Sequence, residues 1–184
     1  MAAKYVNNGE WSGKQMEIWD LYNEKRELVG CDHVRGEKIP DGCYHLVVHV
    51  WIRNGNGEYL ISQRSADRPS FPLMWECVGG SVTKGEDSIT GALRETREEV
   101  GVTLNPENGT LLCSEVRDYV NGERFADILD VWLFEYDGPV DLAQATTPEV
   151  AQAKWLTKAQ IKELFDTGAL VQTLEYFFDM TDGN

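Results

Sequence analysis

The segment that decides the fold, residues 80–102, reads GSVTKGEDSITGALRETREEVGV. Its apolar side chains recur three or four positions apart and would form one buried stripe on a helix, made of Ile89, Ala92, Leu93, Thr96 and Val100. Asp87 or Ser88 can cap the start of such a helix, and Gly101 suits the left-handed residue that ends one. The pattern therefore predicts a helix from Asp87 to Val100.

Three carboxylates of this predicted helix, Glu95, Glu98 and Glu99, fall at positions i, i+3 and i+4 and share the face opposite the stripe. Like charges at this spacing destabilise a bare helix by about a few tenths of a kcal/mol per pair, and Arg94, one turn before Glu98, can relieve part of that. A solvated face laced with ion pairs is one interpretation of the cluster. The other is a cation site, because Mg²⁺ prefers oxygen ligands and binds phosphates alongside them.

The wider spacing resembles the signature of the Nudix family, G-x5-E-x7-R-E-U-x-E-E-x-G-U, in which U is aliphatic. We call residues 80–102, which carry this spacing, the box. The charged and glycine positions of that signature are occupied here by Gly80, Glu86, Arg94, Glu95, Glu98, Glu99 and Gly101. Val102 matches the final apolar position. Thr96 is the one departure, and since its methyl group still faces the core, the change costs packing rather than ligands.

The resemblance continues on both sides of this box and covers roughly residues 40–168. Residues 59–65 and 74–80 look like the strand and loop that precede the box in Nudix proteins, and residues 147–156 look like the loop and strand that lead into the last helix. What this implies is an α/β fold, the Nudix α/β/α sandwich, with a mixed sheet and the box as a loop-helix-loop.

The rest of the chain is predicted to form strands around the box helix and helices at its end. The expected strands are 17–22, a short one after the turn Asn23–Arg26, 45–52, 59–64, 110–119 and 124–136, and the expected helices are 158–166 and 170–180. The turns Asn54–Gly57 and Asn121–Gly122 should close two hairpins. This order predicts a mixed sheet covered on both faces. We expect residues 1–40 to be an N-terminal strand extension packed on a Nudix hydrolase domain of residues 41–184.

The family resemblance also implies a metal site and catalytic residues. The carboxylates of Glu95, Glu98 and Glu99 and the carbonyl oxygen of Gly80 would bind Mg²⁺, with Mn²⁺ as a possible substitute. Glu95 would be a further ligand or the general base, and Arg94 would orient the glutamates by ion pairing. Catalytic roles are therefore expected for Glu95, Glu98 and Arg94.

Three residues have supporting or open roles. The resemblance implies that Glu86 supports the carboxylate cluster. The general base varies within the family and sometimes lies in a later loop, so Glu149 is a candidate beside Glu95 and Glu98. Arg64 can contact a substrate phosphate, although an ion pair at a strand edge explains an arginine there equally well.

A second resemblance bears on the substrate. The stretch His45–Ile52, the turn Asn54–Gly57 and Trp75 look like isopentenyl-diphosphate isomerases, which are themselves Nudix-fold enzymes. Those enzymes use a cysteine just before the box, but Cys77 does not align cleanly and the hydrolase box is intact here. His45 can occupy the isomerase metal-ligand position or can simply be hydrogen-bonded.

Three functions therefore remain open. The expected one is magnesium-dependent hydrolysis of a diphosphate linkage in a small molecule, of the nucleoside diphosphate-X type or related. The alternatives are an isopentenyl-diphosphate isomerase-like enzyme and a non-catalytic diphosphate-binding module.

Composition limits the partners and the location. With 31 acidic and 17 basic residues the net charge is −14, which should repel nucleic acid polymers and anionic membranes. No apolar stretch approaches the ~20 residues that span a bilayer, and the first residues lack the apolar core of a secretory signal. The four cysteines are scattered, which argues against structural zinc and predicts reduced, buried thiols. We therefore expect a cytoplasmic protein.

The aromatic residues of the first 45 positions and the oligomeric state are less constrained. Trp11, Trp19 and Tyr22 can stack on a base of the substrate, or they can belong to the core or a dimer contact. A homodimer is possible from family habit alone.

Overall fold

The structure is a computed structural model that describes residues 17–180 of the 184-residue chain. In chain order its strands are β1 (Ile18–Tyr22), β2 (Leu28–Val34), β3 (Tyr44–Arg53), β4 (Tyr59–Arg64), β5 (Trp75–Glu76), β6 (Val78–Ser81), β7 (Gly109–Val120), β8 (Glu123–Glu135) and β9 (Val150–Leu156). Its α-helices are α1 (Ser88–Val100), α2 (Lys158–Asp166) and α3 (Tyr176–Met180). No helix within residues 17–180 is long and apolar enough to cross a membrane.

The sheet is organised around β3. On one side β3 runs parallel to β8, in register from His45 opposite Asp127 to Arg53 opposite Glu135. On its other side it pairs antiparallel with β1, β6 and β4 in turn. β7 extends the sheet beyond β8, and β9 extends it beyond β4. The predicted mixed sheet is therefore present, with its Val-rich strand at the centre.

Both faces of β3 are covered, because alternate side chains of a strand point to opposite faces. Leu46, Val48 and Val50 pack in one hydrophobic cluster with Ala92 and Val100 of α1. On the other face, Trp51 belongs to a second cluster with Ile161 of α2 and Phe177 of α3. This arrangement confirms the predicted α/β/α sandwich.

The box helix begins and ends where the sequence predicts. Asp87, rather than Ser88, is the N-cap, and its side chain accepts a hydrogen bond from the Thr90 amide at 2.9 Å. Gly101 has φ +69° and donates its N–H to the Arg97 carbonyl at 3.1 Å, which is the left-handed C-cap expected of glycine. Both helix ends are thus encoded locally.

The strand predictions are confirmed, but one helix prediction is wrong. α2 has its predicted bounds, whereas the expected helix 170–180 is a 3₁₀ turn at Gln172–Leu174 followed by the short α3. Residues 169–171 are held extended because the Trp75 amide donates to Ala169 and the Val171 amide donates to Trp75. This tertiary pairing prevents the helix from starting at Leu170.

Residues 17–43 add β1 and β2 to the sheet and form a small hydrophobic cluster with Ala126. Trp19 is buried there, its ring stacked at 4.2 Å on the ring of His45, whose Nδ1 lies 3.2 Å from the Ala126 carbonyl. Tyr22 packs against the cluster beneath α1. The Trp19 ring is thus a core residue, and Trp11 lies outside the described residues.

The cysteines differ from expectation. All four are free thiols, but Cys77 alone is fully buried, Cys43 and Cys113 are half-buried, and Cys31 is exposed. The expectation of buried thiols was therefore wrong for Cys31, because it lies on β2, which has β1 as its one strand partner among the described residues.

Replacing Gly101 by alanine should destabilise the fold more than the same change at Gly57. Both residues have positive φ, but a Cβ at Gly101 would lie 2.5 Å from the Asp141 carbonyl oxygen, whereas nothing lies within 4 Å at Gly57. We expect losses in the free energy of unfolding of about 1 kcal/mol for Gly57→Ala and about 2 kcal/mol or more for Gly101→Ala, measured by urea denaturation. Equal losses would contradict the steric argument.

Candidate active site

The candidate site lies where β6 meets α1. The amide of Gly79 donates to the Glu99 carboxylate at 3.3 Å. A Cβ on Gly80 would stand 2.4 Å from the carboxylate carbon of Glu95, so a side chain there would displace that carboxylate. The two glycines allow the backbone of β6 to approach the acidic side chains of α1 closely, which leaves the Gly80 backbone beside Glu95.

Arg94 connects most of the acidic residues of the site. Its Nε donates to Glu86 at 2.9 Å, and its Nη1 donates to Glu95 at 2.8 Å and to Glu98 at 3.2 Å. Nη2 donates to the Ser81 carbonyl at 2.9 Å and to Glu86 at 3.0 Å. One guanidinium therefore bridges three carboxylates and the last residue of β6, in the planar fork geometry that arginine provides.

The glutamates differ in their access to solvent. The Glu98 side chain is 35% exposed, and that of Glu95 is 13% exposed. The helical position of Glu99 predicts that it lies on a solvated face opposite the stripe. The residue is instead only 4% exposed. Its carboxylate is instead enclosed between α1 and β6, where the Gly79 amide reaches it. The solvated-face interpretation thus fails for Glu99.

Burial makes ionisation of two of these groups costly. Burial raises the pKa of Glu95 to about 7, with Arg94 opposing the shift and Glu98 adding to it. Burial, together with the charges of Glu95 and Glu76, raises the pKa of Glu99 well above its ordinary value. Glu86 is different, because the hydrogen bonds from Arg94 and Thr83 outweigh the effect of its burial and lower its pKa.

These residues fit a divalent cation by their donor chemistry. Three carboxylates and a backbone carbonyl on adjoining segments are hard oxygen ligands, of the kind that Mg²⁺ prefers. Within residues 17–180 no three acidic, histidine or cysteine side chains already converge as a metal cage. Glu95 and Glu98 are instead turned toward Arg94.

A second set of charges borders the first. Arg64, on β4, donates to Glu76 at 2.5 Å and to the Ser70 carbonyl at 2.9 Å, so it forms the ion pair that was one of its two interpretations. Glu149 is paired with Arg68. Both Glu76 and Glu149 raise the pKa of Glu99 by their charge, which places this second set beside the carboxylates of α1.

The loop that carries Glu149 is attached to the box helix. The amides of Thr146 and Thr147 donate to the Glu98 carbonyl at 2.9 and 3.2 Å, and the Ser65 amide donates to the Glu149 carbonyl at 2.8 Å. Of the predicted site residues, the structure thus brings Glu86, Arg94, Glu95 and Glu98 into direct contact. It places Gly80 and Glu99 beside them, and Arg64 and Glu149 in the neighbouring ion pairs.

Comparisons with known proteins identify the family of the chain. The NUDIX domain family matches residues 44–176. An uncharacterised Nudix hydrolase of Listeria innocua is 39% identical over 166 residues, which cover 89% of this chain and 91% of the relative. An RNA pyrophosphohydrolase of Roseobacter denitrificans is 33% identical over 142 residues, which cover 69% of this chain and 85% of the relative.

A crystal structure from Deinococcus radiodurans has the same fold. It superposes with a TM-score of 0.65 at 25% identity and covers 84% of this chain and 92% of that one. The chain belongs to the Nudix hydrolase family, whose members act as pyrophosphohydrolases on phosphorus-containing substrates and generally use a divalent metal.

The metal-free protein should lose stability as the pH rises. The folded state keeps the Glu95 proton up to about pH 7, whereas the unfolded chain releases it near the ordinary pKa of 4.5, so the free energy of unfolding falls between these values. We expect Glu95→Gln to flatten this part of the profile, measured by urea denaturation with a chelator present. The exposed Glu24→Gln is the control, and an unchanged slope in Glu95→Gln would contradict the account.

Proposed function

We propose that this protein hydrolyses a diphosphate linkage in a small molecule of the nucleoside diphosphate-X type, with Mg²⁺ bound at the carboxylates of α1. The observation that carries the proposal is the Arg94 network. It gathers Glu86, Glu95 and Glu98 beside the buried Glu99, in a chain whose family hydrolyses such linkages.

In this proposal Glu98, Glu99 and the Gly80 carbonyl would hold the cation. A cation bound there would supply neutralisation of phosphate charge and activation of a water molecule. Arg94 would hold Glu95 and Glu98 in place by ion pairing. Glu95 is the preferred proton acceptor, because its carboxylate lies beside the Gly80 backbone at the proposed cation site. Glu149, which is held by Arg68, is the other candidate.

The organic part of the substrate has a place on the opposite face of β3. A cavity of about 390 Å³ lies between the β7–β8 hairpin and the C-terminal segment, and its lining includes Arg117, Tyr119, Asn121, Leu129, Thr173 and Tyr176. This volume suits a small ligand. The Tyr176 hydroxyl lies 2.6 Å from Nδ1 of His49, and His49 contacts Gly79, the residue that donates to Glu99. The cavity and the carboxylates lie on opposite faces of β3, with Tyr176, His49 and Gly79 between them.

A small molecule is preferred over a nucleic acid polymer. The Roseobacter relative is named for action on RNA, but the net charge of −14 opposes binding of a polyanion along the surface of this chain. The two tyrosines and the arginine of the cavity are better suited to a single planar group.

The isomerase alternative has less support from the geometry. The Cys77 side chain is only 3% exposed and lies in the hydrophobic cluster of α2 and α3, and burial raises the pKa of its thiol well above the ordinary value. The His45 ring is stacked on Trp19, and its Nδ1 is hydrogen-bonded to the Ala126 carbonyl, so both contacts of the ring are with the core. Neither side chain is available to a substrate in this arrangement.

The central prediction concerns turnover. We expect the protein to release phosphate from at least one compound of a panel, and only when Mg²⁺ is present. The panel contains nucleoside di- and triphosphates, nucleotide sugars, dinucleoside polyphosphates and isopentenyl diphosphate. Added pyrophosphatase will detect diphosphate products. Glu98→Gln should lower the kcat at least a hundredfold, because it removes a proposed ligand while keeping the shape of the side chain.

The matched control is Glu135→Gln, an exposed glutamate paired with Arg53 at the far end of β8. It should keep wild-type turnover. Full activity of Glu98→Gln, or activity unaffected by chelator, would refute the hydrolase assignment of these residues. Silence of the folded protein on every substrate would favour a binding module.

Removing a side chain from the cavity should weaken binding of the substrate without changing the rate of the chemical step. Tyr119 is 64% exposed at the cavity rim, so Tyr119→Ala should leave folding intact. We expect it to raise the KM about tenfold for the preferred substrate, with the kcat within about twofold, since stacking on an aromatic ring is worth roughly 1–3 kcal/mol. Steady-state kinetics will test this. A fall in kcat at constant KM would exclude the cavity as the binding place of the organic group.

A further inference from the structure

The strand pair β1–β2 lies outside the family match of residues 44–176, yet it contacts the loop that leads into α1. The Lys84 amide donates to the Ile18 carbonyl at 2.8 Å. The next amide, that of Gly85, donates to the Asp20 carboxylate at 2.7 Å. A strand outside the matched domain therefore binds two consecutive backbone amides of the box.

The amide held by Asp20 belongs to a tight turn. Gly85 has φ +82°, a left-handed conformation that favours glycine. Across the turn, the Glu86 amide donates to the Thr83 carbonyl at 3.1 Å, and the Thr83 amide donates to the Glu86 carboxylate at 3.0 Å. The direction of the Glu86 side chain is therefore set by the conformation of this turn.

Glu86 in turn holds Arg94. Its two carboxylate oxygens accept from Nε and Nη2 of Arg94 at 2.9 to 3.1 Å. Arg94 then reaches Glu95 and Glu98 with its remaining nitrogen. A continuous series of hydrogen bonds thus runs from Asp20, through the turn and Glu86, to the carboxylates of α1.

The strand pair is itself fixed to the sheet. Arg26, in the turn between β1 and β2, donates to both oxygens of Asp130 at 2.6 and 2.9 Å. Asp130 lies on β8 and is 1% exposed. A bidentate pair with a buried carboxylate has a defined geometry. This pair fixes β1 to the sheet, and β1 in turn supports the turn at Gly85.

We propose that Asp20 is a positioning residue for hydrolysis, which fixes the turn at Gly85 and thereby the Glu86–Arg94 pair. The inference rests on the proposed function, because the carboxylates that it orients are the proposed metal site. Asp20 touches neither substrate nor cation in this account. The N-terminal strands are part of the catalytic support, although they lie outside the matched domain.

The test compares Asp20→Ala with Asp20→Asn in the full chain. Alanine removes the acceptor for the Gly85 amide, whereas the asparagine carbonyl oxygen can replace it. We expect Asp20→Ala to lower the kcat and to raise the dissociation constant for Mn²⁺, measured by calorimetric titration without substrate, each about tenfold, with KM changed less than twofold. Asp20→Asn should restore both to within about twofold of wild type. Where alanine impairs folding, Asp20→Val serves instead, because valine favours a strand and also lacks the acceptor.

Asp32→Ala is the matched control. Asp32 lies opposite Asp20 in the β1–β2 register and joins the same two segments through a 2.6 Å ion pair with the Lys84 ammonium. Removing this exposed pair leaves the Gly85 amide bound, so the kinetics should stay at wild type. In a Glu86→Gln background, Asp20→Ala should add less than twofold, because both changes act on one series of contacts.

Several outcomes would overturn the inference. Wild-type kinetics for Asp20→Ala, equal damage from Asp20→Asn, or multiplicative losses in the Glu86→Gln background would each exclude positioning through the Gly85 amide. Activity retained in Glu98→Gln would instead refute the proposed function. The two failures are therefore distinguishable.

Discussion

One guanidinium keeps a set of mutually repelling carboxylates in place. Arg94 contacts Glu86, Glu95 and Glu98 at 2.8 to 3.2 Å and also binds the Ser81 carbonyl. A single positive charge cannot neutralise three negative ones, and Glu99 stands beside them in a buried position. Burial, with the neighbouring negative charges adding to it, makes ionisation of Glu95 and Glu99 costly, and a divalent cation is the natural complement of this cluster. The glycines of β6, the turn at Gly85 and the cap of α1 all serve to hold this arrangement.

The central strand β3 connects the carboxylate site to the opposite face of the sheet. One face of β3 supports α1, and its other face supports the C-terminal helices and the cavity beside Tyr176. His49 lies at the crossing point, because its backbone pairs with Gly79 and its ring is hydrogen-bonded to Tyr176. Burial lowers the pKa of His49 to about 3, so this link is a neutral one. The carboxylates of α1 and this cavity thus lie on opposite faces of one strand.

Features encoded within a few residues could be predicted from the sequence. The bounds of α1 and α2, and the turns at Asn54–Gly57 and Asn121–Gly122, depend on caps, periodicity and residues that tolerate positive φ. The end of the chain could not be predicted this way, because its helical pattern competes with the pairing of Leu170 and Trp75, 95 positions apart. An amphipathic pattern shows which side chains are buried, but not whether a helix is continuous.

The same limit applies to the site. The motif spacing identifies the acids of α1, but the raised pKa of Glu99 depends on its burial against β6 and on the charge of Glu76, which helical periodicity does not include. The sequence analysis missed Asp20, Arg68 and Glu76. The first two give little signal in the sequence; Asp20, for example, accepts from the Gly85 amide, 65 positions away. Glu76, directly before Cys77 in the segment that resembles the family, offered the one usable signal.

The most direct test of the account is the crystal structure of the protein grown with Mn²⁺, with the metal located by its anomalous scattering. The account predicts a peak within coordination distance of Glu98 and Glu99 and next to the Gly80 carbonyl, with Arg94 still bound to Glu86. A peak elsewhere on the acidic surface, with these side chains arranged as they are here, would contradict it.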